Sequence, residues 1–131
     1  MKLLITGALG HIGSRLIREL DDDLVLFDNL STQRYASLFD LKKAPVFIEG
    51  DIATADWKSL LRGVYGVIHL AGLTNATESH DKREEYMRIN NIATIRLAEA
   101  CEAMRVRLFF PSTTSVYGSA EARVDEEGET N

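Results

Sequence analysis

Three glycines near the N-terminus have the spacing of a phosphate-binding turn. They are Gly7, Gly10 and Gly13 in the stretch TGALGHIG, a GxxGxxG pattern. In such a turn the first glycine allows a tight bend, the second lets the backbone approach a pyrophosphate, and the third lets a helix pack closely on a strand. Free N–H groups at the start of that helix attract phosphate oxygens. The pattern therefore predicts a dinucleotide site.

An acidic residue follows at the distance that such a site requires. Asp28 stands 21 residues beyond Gly7. Its carboxylate can accept hydrogen bonds from the ribose hydroxyls of an adenosine, and its charge repels a 2′-phosphate. The sequence therefore favours NAD over NADP. Arg34 is near enough along the chain to pair with a phosphate, so NADP stays open as the less favoured cofactor.

Strands and helices must alternate to bring these residues together. Short apolar runs predict five strands, at residues 3–6, 24–27, 46–48, 67–71 and 107–110. Amphipathic patterns predict helices that begin at Ile12, at Trp57 and near Arg83, and the last of them continues to Met104 with Ile92 on its apolar face. Strands that alternate with helices predict a parallel sheet covered on both faces, the doubly wound α/β class.

Length and charge narrow the function classes. The chain has 131 residues, 15 Lys and Arg against 20 Asp and Glu, and a net charge of −5. We predict one nucleotide-binding domain over residues 1–119 and an acidic loop or tail over residues 120–131. The acidic balance predicts no nucleic-acid partner and no membrane partner, because both attract clustered Lys and Arg. A single cysteine cannot form an internal disulfide, which favours a cytoplasmic location.

Several short segments together carry a family resemblance. Besides the glycine turn they are FDNLS at 27–31, GDI at 50–52, HLAG at 69–72, NNIAT at 90–94 and STTSVYG at 112–118. In this order they make the chain resemble the N-terminal part of an extended short-chain dehydrogenase/reductase, in the NAD-dependent sugar-nucleotide epimerase/dehydratase group. The stretches DNLS at 28–31, AGL at 71–73 and ES at 78–79 most resemble UDP-glucose 4-epimerase and its close relatives. The resemblance implies a Rossmann-type fold and a nucleotide-sugar substrate for the full-length enzyme.

The resemblance also implies roles for individual residues. Asp51 matches an aspartate that hydrogen-bonds the adenine amino group, although an ordinary turn at Asp51 is the alternative. Asn90 matches a cofactor-site asparagine, and a helix-cap or surface role is its alternative. His69 matches a strand histidine with no catalytic role. The predicted cofactor-binding residues are Gly7, Gly10, His11, Ile12, Gly13, Asp28, Asn29, Asp51, Ile52, Leu70, Ala71, Gly72 and Asn90; no metal site is expected.

Only some of the catalytic residues of this family have a counterpart in the sequence. Thr113 matches the active-site Ser or Thr whose hydroxyl orients the substrate oxygen. The family also needs a tyrosine with a lysine four positions later, and none of the four tyrosines of this sequence has one. We therefore expect the chain to be the NAD-binding portion of such an enzyme, without turnover of its own.

Two other function classes compete with this expectation. One is a free-standing NAD-binding or sensor module without catalysis. The other is a flavodoxin-like or other doubly wound domain that carries a chance glycine turn. An exposed fifth strand argues against the free-standing module, because such an edge invites association or aggregation unless a partner covers it. If the chain is complete, we therefore predict a homo-oligomer.

Overall fold

A parallel five-stranded sheet forms the centre of the molecule. The computed structural model describes residues 1–74 and 81–112. In these ranges the strands are β1 (Lys2–Thr6), β2 (Asp23–Asp28), β3 (Val46–Glu49), β4 (Gly66–His69) and β5 (Arg107–Phe109). All four strand pairs are parallel, which confirms the predicted doubly wound class.

The strand order distinguishes between two doubly wound folds. It is β3-β2-β1-β4-β5, so β1 lies in the middle with Leu4 paired to Val25 on one side and to Val67 on the other. This is the Rossmann order, whereas a flavodoxin-like sheet has its first strand between the second and third. The flavodoxin-like alternative is therefore wrong. In this order β2 and β3 lie on one side of β1, and β4 and β5 lie on the other. The change of side between β1 and β4 opens a crevice at the carboxyl ends of the strands.

Helices cover both faces of the sheet. They are α1 (His11–Glu19), α2 (Trp57–Leu60), α3 (Arg83–Tyr86) and α4 (Thr94–Met104), with a 3-10 turn at Tyr35–Leu38. Leu4, Val25 and Val67 face a core that includes Trp57 and Leu97, while Ile5 and Leu26 pack with Ile17 of α1 on the opposite face. None of the helices within the described ranges is long and apolar enough to cross a membrane.

The longest predicted helix has an irregular centre. A π-helical segment, Met87–Ala93, joins α3 to α4, so the helical run spans the predicted range but widens in its middle. Ile89 and Ala93 are buried as predicted, but the prediction for Ile92 is wrong, since half of its surface is exposed. A period of 3.6 residues does not describe a π-helical stretch, which explains the difference.

The fourth strand ends earlier than predicted. Pairing of β4 stops at His69, although the N–H of Leu70 still donates to the carbonyl of Thr6 over 3.0 Å. Residues 70–74 therefore leave the sheet and are free to border the crevice.

Candidate functional site

An open cleft lies at the carboxyl ends of β1, β2, β3 and β4. Most of the predicted cofactor residues line it, namely Gly7, Gly10, Asp28, Asn29, Asp51, Ile52, Leu70, Ala71 and Gly72. Additional lining residues are Phe27, Ser31, Thr32, Gly50, Leu73, Glu85, Arg88 and Ile89. The first and last of these residues, Gly7 and Ile89, are 82 positions apart in sequence, so distant parts of the chain converge on one crevice.

The glycine turn is wedged between the ends of two strands. Gly7 has a φ of 63°, and its N–H donates to the carbonyl of Phe27 over 2.9 Å. A Cβ on Gly7 would lie 2.6 Å from the backbone N of Ala71, which no side chain can tolerate. Gly7 is required both for its left-handed backbone and for this close approach.

The start of α1 offers backbone donors to a ligand. Gly10 is the N-cap residue and supplies no side-chain cap, so the N–H groups of the first turn are left without an intrahelical partner. Gly13 is buried one turn along the helix, where a Cβ would lie 2.4 Å from the carbonyl oxygen of Ala8. Gly13 therefore holds the helix against the turn, as the glycine pattern predicts, and does not line the cleft.

Asp28 ties the end of β2 to the glycine turn. Its Oδ2 accepts a hydrogen bond from the N–H of Leu9 over 3.0 Å, and its Oδ1 accepts one from the N–H of Leu30 over 2.9 Å. Only 8% of the residue is exposed. Each carboxylate oxygen can accept a second bond, so Asp28 can hold the turn and still accept from a hydroxyl in the cleft.

Asp51 occupies the end of β3 in a more exposed setting. Its Oδ1 accepts from the N–H of Ala53 over 2.8 Å, and its Oδ2 lies 3.2 Å from Nη1 of Arg88 in an ion pair. The N–H of Gly50 donates to the carbonyl of Asp28 over 3.0 Å, which links the two carboxylate-bearing strand ends.

The π-helical segment, which carries Arg88, also holds the segment that follows β4. The side-chain amide of Asn90 accepts from the N–H of Leu73 over 2.7 Å and donates to the carbonyl of Leu73 over 2.8 Å. Asn90 does not line the cleft itself. It clamps the segment after β4, whose residues Leu70 to Leu73 do.

His69 is a buried histidine with both ring nitrogens partnered. Nδ1 lies 2.6 Å from Oγ1 of Thr6, and Nε2 lies 3.0 Å from Oγ1 of Thr94. The residue is 1% exposed, and burial lowers the pKa of His69 to about 4. The prediction of a structural histidine at this position is confirmed. The hydroxyl of Thr6 also accepts from the N–H of Ala71 over 3.3 Å, so this network supports the backbone beside Gly7.

The remaining predicted residues lie at the margin of the cleft or outside the described ranges. His11 and Ile12 are exposed at the start of α1 and do not line the cleft. Nε2 of His11 accepts a hydrogen bond from Nη2 of Arg34 over 2.7 Å, because a guanidinium can only donate. Thr113 lies outside the described residues, as does the predicted acidic tail.

Sequence reasoning missed the lining residues that depend on packing. Ser31 and Thr32 follow Asp28 closely, and their small polar side chains were a usable signal. Arg88 carried no such signal in the sequence, because a surface arginine on a helix more often contacts solvent or a neighbour on the same helix. Its contact with Asp51 exists only because the helical run passes the end of β3.

Comparison with known proteins identifies the family. The model of the NAD dependent epimerase/dehydratase family matches residues 3–131. This chain belongs to that family. A protein of Bacillus subtilis (strain 168) named as the uncharacterized UDP-glucose epimerase YtcB is 37% identical over 139 residues, which cover 96% of this chain and 44% of the relative. The chain thus spans less than half the length of that relative.

Two crystal structures show the same architecture. The UDP-glucose-4-epimerase from Stenotrophomonas maltophila, with bound NAD and formylated UDP-arabinopyranose, matches with a TM-score of 0.90 and 29% identity over 100% of this chain and 43% of its own. The UDP-glucuronic acid 4-epimerase from Bacillus cereus, with UDP-glucuronic acid and NAD, matches with a TM-score of 0.88 and 30% identity over 100% of this chain and 46% of its own. Both contain NAD, the cofactor that the sequence predicts.

Proposed function

We propose that this chain is the NAD-binding portion of a nucleotide-sugar epimerase or dehydratase. The observation that carries the proposal is the hydrogen bond between Asp28 and the N–H of Leu9, because it joins the ribose-binding carboxylate to the phosphate-binding turn at one cleft. Family membership and two similar enzymes with NAD support the same function.

The residues of the cleft fit NAD. The uncapped first turn of α1 would receive the pyrophosphate, and a Cβ on Gly10 would meet only the carbonyl of Gly7, at 3.2 Å, so the turn leaves room above it. Asp28 would accept from the adenosine ribose and Asp51 from the adenine. Leu70, Ala71 and Gly72 would border the ribose and pyrophosphate side of the cofactor, where small, apolar residues allow the backbone to approach closely. The bound nicotinamide would supply the hydride acceptor for oxidation of a sugar hydroxyl.

The site favours NAD over NADP. The buried carboxylate of Asp28 would repel the 2′-phosphate of NADP at the position where it accepts from the ribose. Arg34, which is near Asp28 in sequence, is the candidate for attracting that phosphate, and its guanidinium contacts His11 instead. The balance of these two groups supports NAD as the cofactor.

Catalysis in the whole protein would need groups beyond this cleft. Thr113 would orient the substrate hydroxyl, and a tyrosine made more acidic by a nearby lysine would exchange its proton. Since no tyrosine of this sequence has a lysine four positions later, the chain would bind NAD without turnover.

Assembly and location are further parts of the proposal. Ile92 and Ile95 are half exposed along the long helical run, which supports a homo-oligomer. A strictly monomeric species in sedimentation at high concentration would contradict this. A cytoplasmic location accords with Cys101, a buried free thiol, and detection of the protein in an oxidising compartment would argue against it.

Calorimetric titration of the chain with NAD and NADP tests the cofactor assignment. Wild-type protein should bind NAD more tightly than NADP. Asp28→Ala should weaken NAD binding about tenfold or more, because a hydrogen bond to a charged group is lost, and should reduce the preference against NADP. Asp21→Ala, which removes an exposed carboxylate outside the cleft, is the matched control. Absence of heat with either nucleotide, or an unchanged preference in Asp28→Ala, would contradict the proposal.

A further inference from the structure

The β3 end of the cleft has the character of a slot for a flat base. Phe27, Ile52 and Ile89 line it, and each is less than a tenth exposed. Asp51 borders the same slot and provides hydrogen-bond acceptors and no donor. Apolar walls beside a carboxylate that can only accept suit a planar ring that carries an exocyclic amino group.

Two contacts fix the orientation of the Asp51 carboxylate. The N–H of Ala53 holds Oδ1, and the guanidinium of Arg88 holds Oδ2. With one contact alone the carboxylate plane could rotate, whereas a bond to each oxygen restricts both side-chain torsions. The lone pairs left over then point in constant directions, which is the condition for selecting one hydrogen-bonding pattern over another.

A second arginine contacts the same loop in a different way. Arg96, two turns farther along the helical run, donates to the carbonyl oxygen of Ala53. It therefore anchors the backbone of the loop without contacting the carboxylate. Among the described residues that line the cleft, Arg88 is the one arginine, and Arg96 does not line it.

We infer that Arg88 is a positioning residue that orients Asp51 and thereby makes the cleft select a 6-aminopurine. Its guanidinium sets the carboxylate so that the remaining lone pairs accept from the amino group of adenine. A 6-oxopurine would instead place its carbonyl oxygen against that carboxylate. The inference rests on the proposed NAD binding and adds a determinant of base selectivity that lies outside the glycine turn.

The test compares NAD with nicotinamide hypoxanthine dinucleotide, in which a carbonyl replaces the 6-amino group. Calorimetric titration of the wild-type chain should show about a tenfold preference for NAD, the value of one hydrogen bond to a charged group. Arg88→Met should reduce that preference at least threefold, and Asp51→Asn should do the same. The double variant should lose no more than Asp51→Asn alone, because both changes remove the same interaction.

Two further variants separate orientation of the carboxylate from anchoring of the loop. Arg96→Met should keep the wild-type preference between the two dinucleotides, and Arg88→Lys should restore part of it because an ammonium can still donate to Oδ2. If Arg88→Met binds NAD with the wild-type preference over the hypoxanthine analogue, the inference is overturned. The proposed function would still stand, because NAD is bound. An equal loss in Arg96→Met overturns the inference in favour of loop anchoring. No binding of NAD by the wild-type chain overturns the proposed function together with the inference.

Discussion

Two corners of the cleft present a carboxylate, and they hold it in different ways. The glycine corner is formed by Gly7 to Gly13, Asp28 and the supporting Thr6 and His69. There Asp28 is a buried residue whose carboxylate accepts from two backbone N–H groups. In the helix-held corner, formed by Asp51 to Ala53 with Arg88 and Asn90, the Asp51 side chain is 34% exposed and depends on a guanidinium from a distant helix.

This difference predicts which substitutions will change the stability of the fold and which will change only ligand binding. Buried backbone groups that lose a partner cost stability, so changes in the glycine corner should affect the fold and the site together. An exposed ion pair contributes little to stability, so changes in the helix-held corner can alter recognition while the fold persists.

Gly7→Ala tests how tightly the glycine corner is packed. The new Cβ would lie 2.6 Å from the N and 2.7 Å from the Cα of Ala71, on a backbone with positive φ. We expect a loss of about 4 kcal/mol in the free energy of unfolding, measured by chemical denaturation. NAD binding should disappear with it, since the turn can no longer pack between β2 and β4.

Gly63→Ala is the matched control for that variant. Gly63 also has a positive φ, 69°, but a Cβ there would meet nothing within 4 Å. Its cost should therefore be about 1 kcal/mol, from the backbone conformation alone. Equal losses in the two variants would show that conformation, and not the close approach to Ala71, is the reason for Gly7.

The buried imidazole of His69 makes the glycine corner sensitive to acid. The pKa of His69 is lowered by burial to about 4 from 6.5, so the unfolded chain binds a proton at a higher pH than the folded chain does. The stabilisation from the neutral imidazole is complete above pH 6.5 and is lost as the pH falls from 6.5 towards 4. The wild type should lose about 3 kcal/mol from this group between pH 7 and pH 4.

Comparison with His69→Gln isolates that contribution from the carboxylates that also titrate below pH 5. Between pH 7 and pH 4 the free energy of unfolding of the variant should fall by about 3 kcal/mol less than that of the wild type. Parallel pH profiles for the two proteins would mean that His69 is not held neutral by the fold.

Asn90→Ala is expected to have the smallest effect because the helix-held corner is exposed. The variant removes both hydrogen bonds to Leu73, which should lower the free energy of unfolding by about 1 kcal/mol and loosen one border of the cleft. Asn91→Ala, at the next exposed position of the π-helical segment, should change thermal stability much less. A loss above 3 kcal/mol in Asn90→Ala would show that this corner is as essential to the fold as the glycine corner.

The parts of the site that sequence analysis could predict are those built from local chain. Gly7, Gly13 and Asp28 act through the bends and contacts of one strand-turn-helix-strand unit, and their spacing reflects that geometry directly. The strands around them are buried on both faces, so continuous apolar runs in the sequence predicted where these strands lie. The predicted Thr113 and acidic tail lie outside the described residues and stay predictions.

Tertiary structure decided the features that depend on where the helical run passes the sheet. The strand order β3-β2-β1-β4-β5 excluded a flavodoxin-like fold, and the apolar runs alone allowed both. The π-helical segment exposes Ile92, and the same run brings Arg88 to Asp51 across 37 positions of sequence. The sequence by itself determined the glycine turn and its acidic partner, because local geometry requires those residue types. Side-chain contacts such as that of Arg88 were decided only by the packing of the helices on the sheet, since many residue types are compatible with an exposed helical position.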